Sequence, residues 1–371
     1  MEGDPTPGAY CNNLSRIAAV GSTGMLDLGD KTASTSDGKH YSDLILGSGY
    51  WGQQNKLPIG YISALGMGLD CDPQKTWGVV GLLHLFQKTN KLLFFSPQRV
   101  GLTREEKEKL ILGLKDEFAH HGFTLFWSDK WAAAVVSLDR KISVTSTPLE
   151  VLEGQSFFDC LPSGDGASTI ISLVTTGQML LARDEVNKQR EKNNLLPLNT
   201  PWIWGVDQGN KRVADRYPKT VNGGLWSSDV LVAGLGCLAG LQTACIDENT
   251  GMDSKTIEQV ADVGLQKDAI IHFKTPAQLA RLGMLPERQA RLEQIDKQFL
   301  NPLFAQIAKA GGKITVTTSA KLDKEGKSVA SSVPWVTAQG DSLLRKKRFW
   351  NRQSLDSGAV MSLDKFSCEW V

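Results

Sequence analysis

The chain reads as an α/β protein. Short apolar runs of strand length alternate with longer stretches in which apolar residues recur every three or four positions. In the second half the two kinds follow each other regularly, the order of successive βαβ units. With 371 residues the chain can bury a sizeable core and divide into two domains, or one large domain with an insertion. No internal repeat is visible.

The clearest helix follows Thr103, which forms a capping box with Glu106. Leu110, Ile111, Leu114 and Phe118 share its apolar face, and Gly122 supplies the stop. Strands are expected at 123–127 and 131–136, separated by a turn. A long helix over 170–192 then leads through polar residues and Pro197 into a strand at Trp202. Gly164-Asp165-Gly166 is a turn signal, because no Gly-Lys-Ser/Thr follows to make a phosphate loop.

Beyond that strand the spacing predicts a helix over 229–241, a strand over 243–246, a helix over 254–263 and a strand over 269–274. An amphipathic helix over 286–310 carries Leu292, Ile295, Phe299, Leu303 and Ile307 on one face. It stops at Gly311-Gly312 before a strand over 313–317. The Ser/Lys/Gly-rich 320–332 reads as a surface loop.

Composition excludes several functions. Forty-one basic residues face 40 acidic ones, so no global field draws in nucleic acid or an anionic membrane. The six cysteines lie scattered without a C-x-x-C pair, which predicts reduced thiols and neither a disulfide framework nor a structural metal. No apolar signal segment opens the chain, and no run of about 18 apolar residues occurs. A soluble, cytoplasmic protein without a membrane partner is expected.

Gly234-Leu235-Gly236-Cys237-Leu238-Ala239 matches the G-x-G-x-x-A dinucleotide pattern. Too few residues separate it from the next apolar run for the helix that would hold a pyrophosphate, so small residues packing a helix closely explain it better. No bound cofactor is expected. His84 lies between Leu83 and Leu85 and reads as a hydrogen-bonded core residue. The basic run Arg345, Lys346, Lys347 and Arg348 beside Phe349 and Trp350 suits an anion, nucleic acid or an acidic partner, or a solvated edge.

The block 178–205 is the most specific. Val186-Asn187, Arg190-Glu191, Asn199 and Trp202-Ile203-Trp204-Gly205 set donors and acceptors beside a strand end, where open α/β sheets bind ligands. Together with Thr6-Pro7, Gly21-Ser22-Thr23-Gly24, Leu83-His84-Leu85, Leu161-Pro162 and Arg348-Phe349-Trp350, it resembles the RpfE-type proteins related to archaeal-type cofactor-independent phosphoglycerate mutases. This chain has Asp184-Glu185 where that family has His-Pro.

The resemblance implies an alkaline-phosphatase-like core with a mostly parallel mixed sheet, formed by 1–70 and 195–371, and a smaller α/β domain inserted at 71–194. It implies that Thr-Pro precedes a first helix closed by the Gly-x-x-Gly at 21–24, and that the family's first strand is absent. In active relatives two divalent metals activate a Ser or Thr nucleophile. Ala277 and Arg281 stand where the family's P-D-x-x-x-H-x-G motif has its metal-binding Asp and His, and Ser319-Ala320 replaces an Asp-His pair. Ser36-Asp37 is the nearest counterpart of the nucleophile.

These readings lead to a non-catalytic phosphoglycerate mutase-like protein, compatible with a regulatory role, that holds no metal and binds an anionic small molecule or a protein partner. Asn187, Arg190, Asn199 and Arg281 are the candidate ligand residues, because Arg offers a planar donor fork and Asn both donates and accepts. Holding the helix of Asn187 and Arg190 to the following loop is the alternative for those residues. The alternative function is an active mutase or phosphatase using Asp37, Asp43 or Asp268 as unconventional ligands.

Overall fold

The computed structural model describes residues 22–27, 57–208, 223–248, 254–310, 313–317, 332–339 and 359–362. In chain order the elements begin with β1 (Ser22–Asp27), α1 (Ile59–Gly66), β2 (Thr76–Lys88), β3 (Lys91–Phe95), α2 (Pro97–Val100), α3 (Arg104–Leu112) and α4 (Lys115–His120). There follow β4 (Phe123–Ser128), β5 (Ala133–Leu138), β6 (Ser143–Thr145), β7 (Ser163–Asp165), α5 (Ala167–Leu181), α6 (Glu185–Lys192) and β8 (Thr200–Gln208). The remainder comprises β9 (Gly223–Ser227), α7 (Val230–Ala239), β10 (Gln242–Cys245), α8 (Ser254–Gln266), β11 (Asp268–His272), α9 (Thr275–Arg281) and α10 (Leu285–Ile295). A π-helical turn (Asp296–Leu300) joins α10 to α11 (Asn301–Lys309), and β12 (Lys313–Thr317), β13 (Ser332–Gln339) and β14 (Ala359–Ser362) come last.

The α/β class is as the periodicity predicts. Two compact units divide the chain: Met1–Asn55, Pro218–Asp229 and Ala239–Val371 form the first, Lys56–Tyr217 and Val230–Leu238 the second. The expected insertion at 71–194 lies inside the second unit, which extends on both sides to include α1 and β8.

The second unit is organised by β2. Its first nine residues are all buried, as expected of a strand covered on both faces. β3 and β5 pair along one edge of β2, β8 along the other, and β4 pairs with β5, every ladder antiparallel. Leu110, Ile111, Leu114 and Phe118 are buried against this sheet's residues, as their spacing predicts. The capping box of Thr103 and Glu106 is present. The helix is shorter than predicted, because Gly113 and Leu114 separate α3 from α4. The expected helix over 170–192 is likewise two helices, and Asp184 caps the second by accepting from the Val186 N–H at 2.8 Å.

The Gly-rich stretch at 234–239 does pack closely, though against a helix and not a sheet. A Cβ on Gly234 would lie 1.9 Å from the Ile62 carbonyl oxygen of α1, and one on Gly66 would lie 2.1 Å from the Val230 carbonyl oxygen. Only glycine lets α1 and α7 approach this far. His84 is 8 % exposed, and its Nδ1 donates to the Pro197 carbonyl at 2.7 Å, the core role its neighbours predict.

In the first unit β9, β10 and β11 form a parallel three-stranded sheet in the order β10-β9-β11. Ile257, Val260 and Ala261 of α8 pack with Phe299, Leu300, Leu303, Phe304 and Ile307, against Trp226 and Ile246. A four-stranded sheet has the order β12-β13-β1-β14, with only the β1–β14 ladder parallel. Among the described residues the first unit has three parallel ladders and two antiparallel ones, the latter both in its four-stranded sheet, so a mostly parallel core sheet is not confirmed. Alternation and apolar runs identify a strand but carry no information on its direction, which pairing decides. Ser22, Thr23 and Gly24, read as closing a helix, begin a strand that lies between two others.

Candidate functional site

The parallel sheet of the first unit contains a reversal of strand order. From β9 the chain passes through α7 to β10 on one side, then through α8 to β11 on the other side of β9. Carboxyl ends of parallel strands at such a switch point bound the crevice in which open α/β sheets hold ligands. Ser227, Ser228 and Asp229 follow β9, Asp247 and Glu248 follow β10, and His272, Phe273 and Lys274 end or follow β11.

The polar side chains here engage one another. Lys274 Nζ lies 2.8 Å from Asp229 Oδ2, and the Asp229 carboxylate is only 9 % exposed. Ser227, fully buried, accepts from the Asp229 N–H at 2.9 Å and lies 3.0 Å from His272 Nδ1. Glu248 Oε1 accepts from the Ser228 hydroxyl, from the Lys274 N–H at 2.8 Å and from the Thr275 N–H at 3.2 Å. The Arg291 guanidinium donates to the Glu248 backbone carbonyl and to Gln294 Oε1. Sequence reading missed this cluster. Polar residues directly after three apolar strands were the available signal, and the order of the strands, which makes them neighbours, was not.

The predicted ligand residues lie elsewhere. Asn187 and Arg190 are 2 % and 1 % exposed on α6. Asn187 Nδ2 donates to the carbonyls of Leu181 and Leu198, and its Oδ1 accepts from the Leu198 N–H, all at 2.9 Å. Arg190 donates from Nε to the Leu196 carbonyl, and from its two terminal nitrogens to Glu106 Oε2 at 2.7 Å and the Val100 carbonyl at 2.6 Å. Burial pushes the Glu106 carboxyl up, but hydrogen bonds from Thr103 and Arg190 and the Arg190 charge outweigh it and hold the group below its ordinary value. Asn199 exchanges two hydrogen bonds with the backbone of Leu85 and so prolongs the β2–β8 ladder by one side chain. Arg281, partly exposed, is the last residue of α9 in the first unit. Ser36, Asp37, Asp43, Ser319-Ala320 and the basic run of Arg345, Lys346, Lys347 and Arg348 lie outside the described residues.

A shallow recess of about 540 Å³ in the second unit is lined in part by His120, His121, Arg140 and Thr169. Its polar groups are paired locally, His121 with Glu117 at 2.9 Å and Arg140 with Thr169 at 2.9 Å. The switch-point cluster is the more buried and the better built of the two.

The architecture is shared with a Pyrococcus horikoshii protein of known structure, at a TM-score of 0.57 and 16 % identity, over 99 % of this chain and 91 % of the other. No protein-family model matches the chain. In sequence it is similar to 2,3-bisphosphoglycerate-independent phosphoglycerate mutases. A probable enzyme of that kind from Geobacter sulfurreducens is 22 % identical over 255 residues, 67 % of this chain and 64 % of its own length. The Methanothrix thermoacetophila mutase is 27 % identical over 175 residues, 44 % of this chain and 43 % of its own. The chain thus spans less than two thirds of these relatives. Among the described residues, no helix is long and apolar enough to cross a membrane.

Proposed function

We propose that this protein is a phosphoglycerate mutase-like protein without mutase turnover that binds an anionic small molecule or a protein partner. The reading is supported above all by the state of the switch-point charges. Phosphoryl transfer in the resembled family needs two divalent cations, held by free carboxylates and imidazoles. Here Asp229 is paired with Lys274, and Glu248 is held by a hydroxyl and two backbone N–H groups. Ala277 offers no donor at the position where the motif has Asp, and the guanidinium of Arg281 is a permanent cation where it has His. Residues of this kind do not fit the metals that the resemblance implies.

Asn187, Arg190 and Asn199 are assigned to the scaffold in this reading. Their polar groups tie α6 and the loop after it to α3 and β2, which leaves ligand contact to the carboxyl edge of the parallel sheet.

Incubation of the purified protein with 3-phosphoglycerate and manganese is expected to yield no 2-phosphoglycerate. Interconversion that disappears in Ser36→Ala would establish the active mutase in its place.

A further inference from the structure

Among the described residues, the antiparallel sheet of the second unit has three strands that pair with another strand on one side only, β3, β4 and β8. Two of these edges are guarded. The far side of β3 bonds to the segment after β6: the Phe94 N–H donates to the Gln155 carbonyl, the Gly154 N–H to the Phe94 carbonyl and the Phe157 N–H to the Leu92 carbonyl. β8 carries Pro201 and, at positive φ, Gly205, and its register against β2 shifts, so it makes a poor template for a further strand. β4 has neither kind of protection. Its residues, Phe123-Thr124-Leu125-Phe126-Trp127-Ser128, include no charge and no proline, and they pair with β5 in unbroken register. No other described backbone segment bonds to it. Thr124 is exposed, and Phe126, Trp127 and Ser128 are partly exposed. Such an edge offers its outward N–H and C=O groups to another strand.

We propose that β4 is a dimerisation edge, which pairs antiparallel with β4 of a second copy of this chain and joins the two sheets into one. A two-fold axis normal to the sheet keeps both faces continuous. Phe123 and Leu125, which turn into the core, then share a face with the same residues of the copy, and Thr124 and Phe126 share the other. With the axis at Leu125, Thr124 lies opposite Phe126 of the copy, a β-branched residue against an aromatic one, and no like charges meet along the strand. The same register carries the β4–β5 turn of one copy, with exposed Asp129, to the level of His121 in the other. There the recess bordered by His120, His121 and Gly122 leaves room for the turn. An unrelated peptide would use the edge alone, whereas a second copy also brings an acidic turn to each recess. This pairing goes beyond the ligand-binding reading above and does not depend on it.

The test is sedimentation equilibrium of the full chain, joined to hydrogen exchange of the β4 amides at low and high protein concentration. The mean mass is expected to rise from one chain toward two between about 1 and 100 μM, the range of a small interface. Protection of the β4 amides is expected to rise with it. Thr124→Lys combined with Ser128→Lys places charge on the edge and is expected to weaken dimerisation at least about tenfold, with the circular dichroism of the monomer unchanged. Should that variant not fold, Thr124→Lys alone takes its place, and the exchange measurement on wild type stands without either. A single chain at about 100 μM overturns the proposal. If the β4 amides are protected in that monomer, another segment of the same chain lies on the edge. A dimer that leaves the β4 amides unprotected, or that the folded lysine variant forms as tightly as wild type, also overturns it, because the copies then meet elsewhere. Mutase turnover would remove the function proposed above and leave this edge untouched.

Discussion

Arg190 and Asn187 are the residues whose chemistry is strongest and whose position decides its use. An arginine 1 % exposed must have its charge and donors satisfied inside the chain, and three acceptors from three segments do this. Arg190→Ala leaves Glu106 and two carbonyls without their donor and is expected to cost about 3–5 kcal/mol, read from urea unfolding. Arg190→Lys is expected to recover only part of this, because an ammonium cannot reproduce the fork. Acid should act in two steps. Burial lowers the His84 pKa from 6.5 despite the bond to Pro197, so its contribution is complete above 6.5 and is lost as pH falls below it. Glu106, also lowered, keeps its contribution above 4.5 and loses it as pH falls further toward the folded value. Urea midpoints across this range are expected to show both losses, and His84→Gln only the lower one.

At the scale of elements the sequence was clear where a local signal has one meaning. The Thr103–Glu106 capping box and the buried face of Leu110, Ile111, Leu114 and Phe118 were legible because caps and 3.6-residue periodicity are local. Breaks within long periodic stretches were not. Asp184 is a good N-cap, yet the apolar spacing runs on past it, and only packing decides that a second helix starts there. The π-turn at Asp296–Leu300 had no signal at all. The close approach of α1 and α7 gives a direct test. Gly234→Ala would gain up to about 1 kcal/mol in helix propensity, but its Cβ meets a backbone oxygen that cannot move alone. A net loss of about 1–3 kcal/mol is expected, with a lower melting temperature.

For the whole molecule, the resemblance to cofactor-independent phosphoglycerate mutases and the sequence similarity to such enzymes point the same way. Strand direction did not follow from it. Apolar runs at 76–84 and 223–227 look alike as sequence, yet one lies in an antiparallel sheet and the other in a parallel one. Stoichiometric metal analysis of the purified protein belongs at this scale. The expected result is less than one divalent ion per chain, and a full complement of two would favour the metal-dependent alternative.

By itself the sequence determined the α/β class, the helix caps, the core histidine and the likeness to the mutases. Each of these depends on residues close together in the chain, or on a pattern that survives without coordinates. Tertiary structure alone decided that Asn187, Arg190 and Asn199 spend their hydrogen bonds inside the fold. It alone brought Ser228, Asp229, Glu248 and Lys274 to one sheet edge, because strand order sets which loop ends are neighbours and no local spacing encodes it.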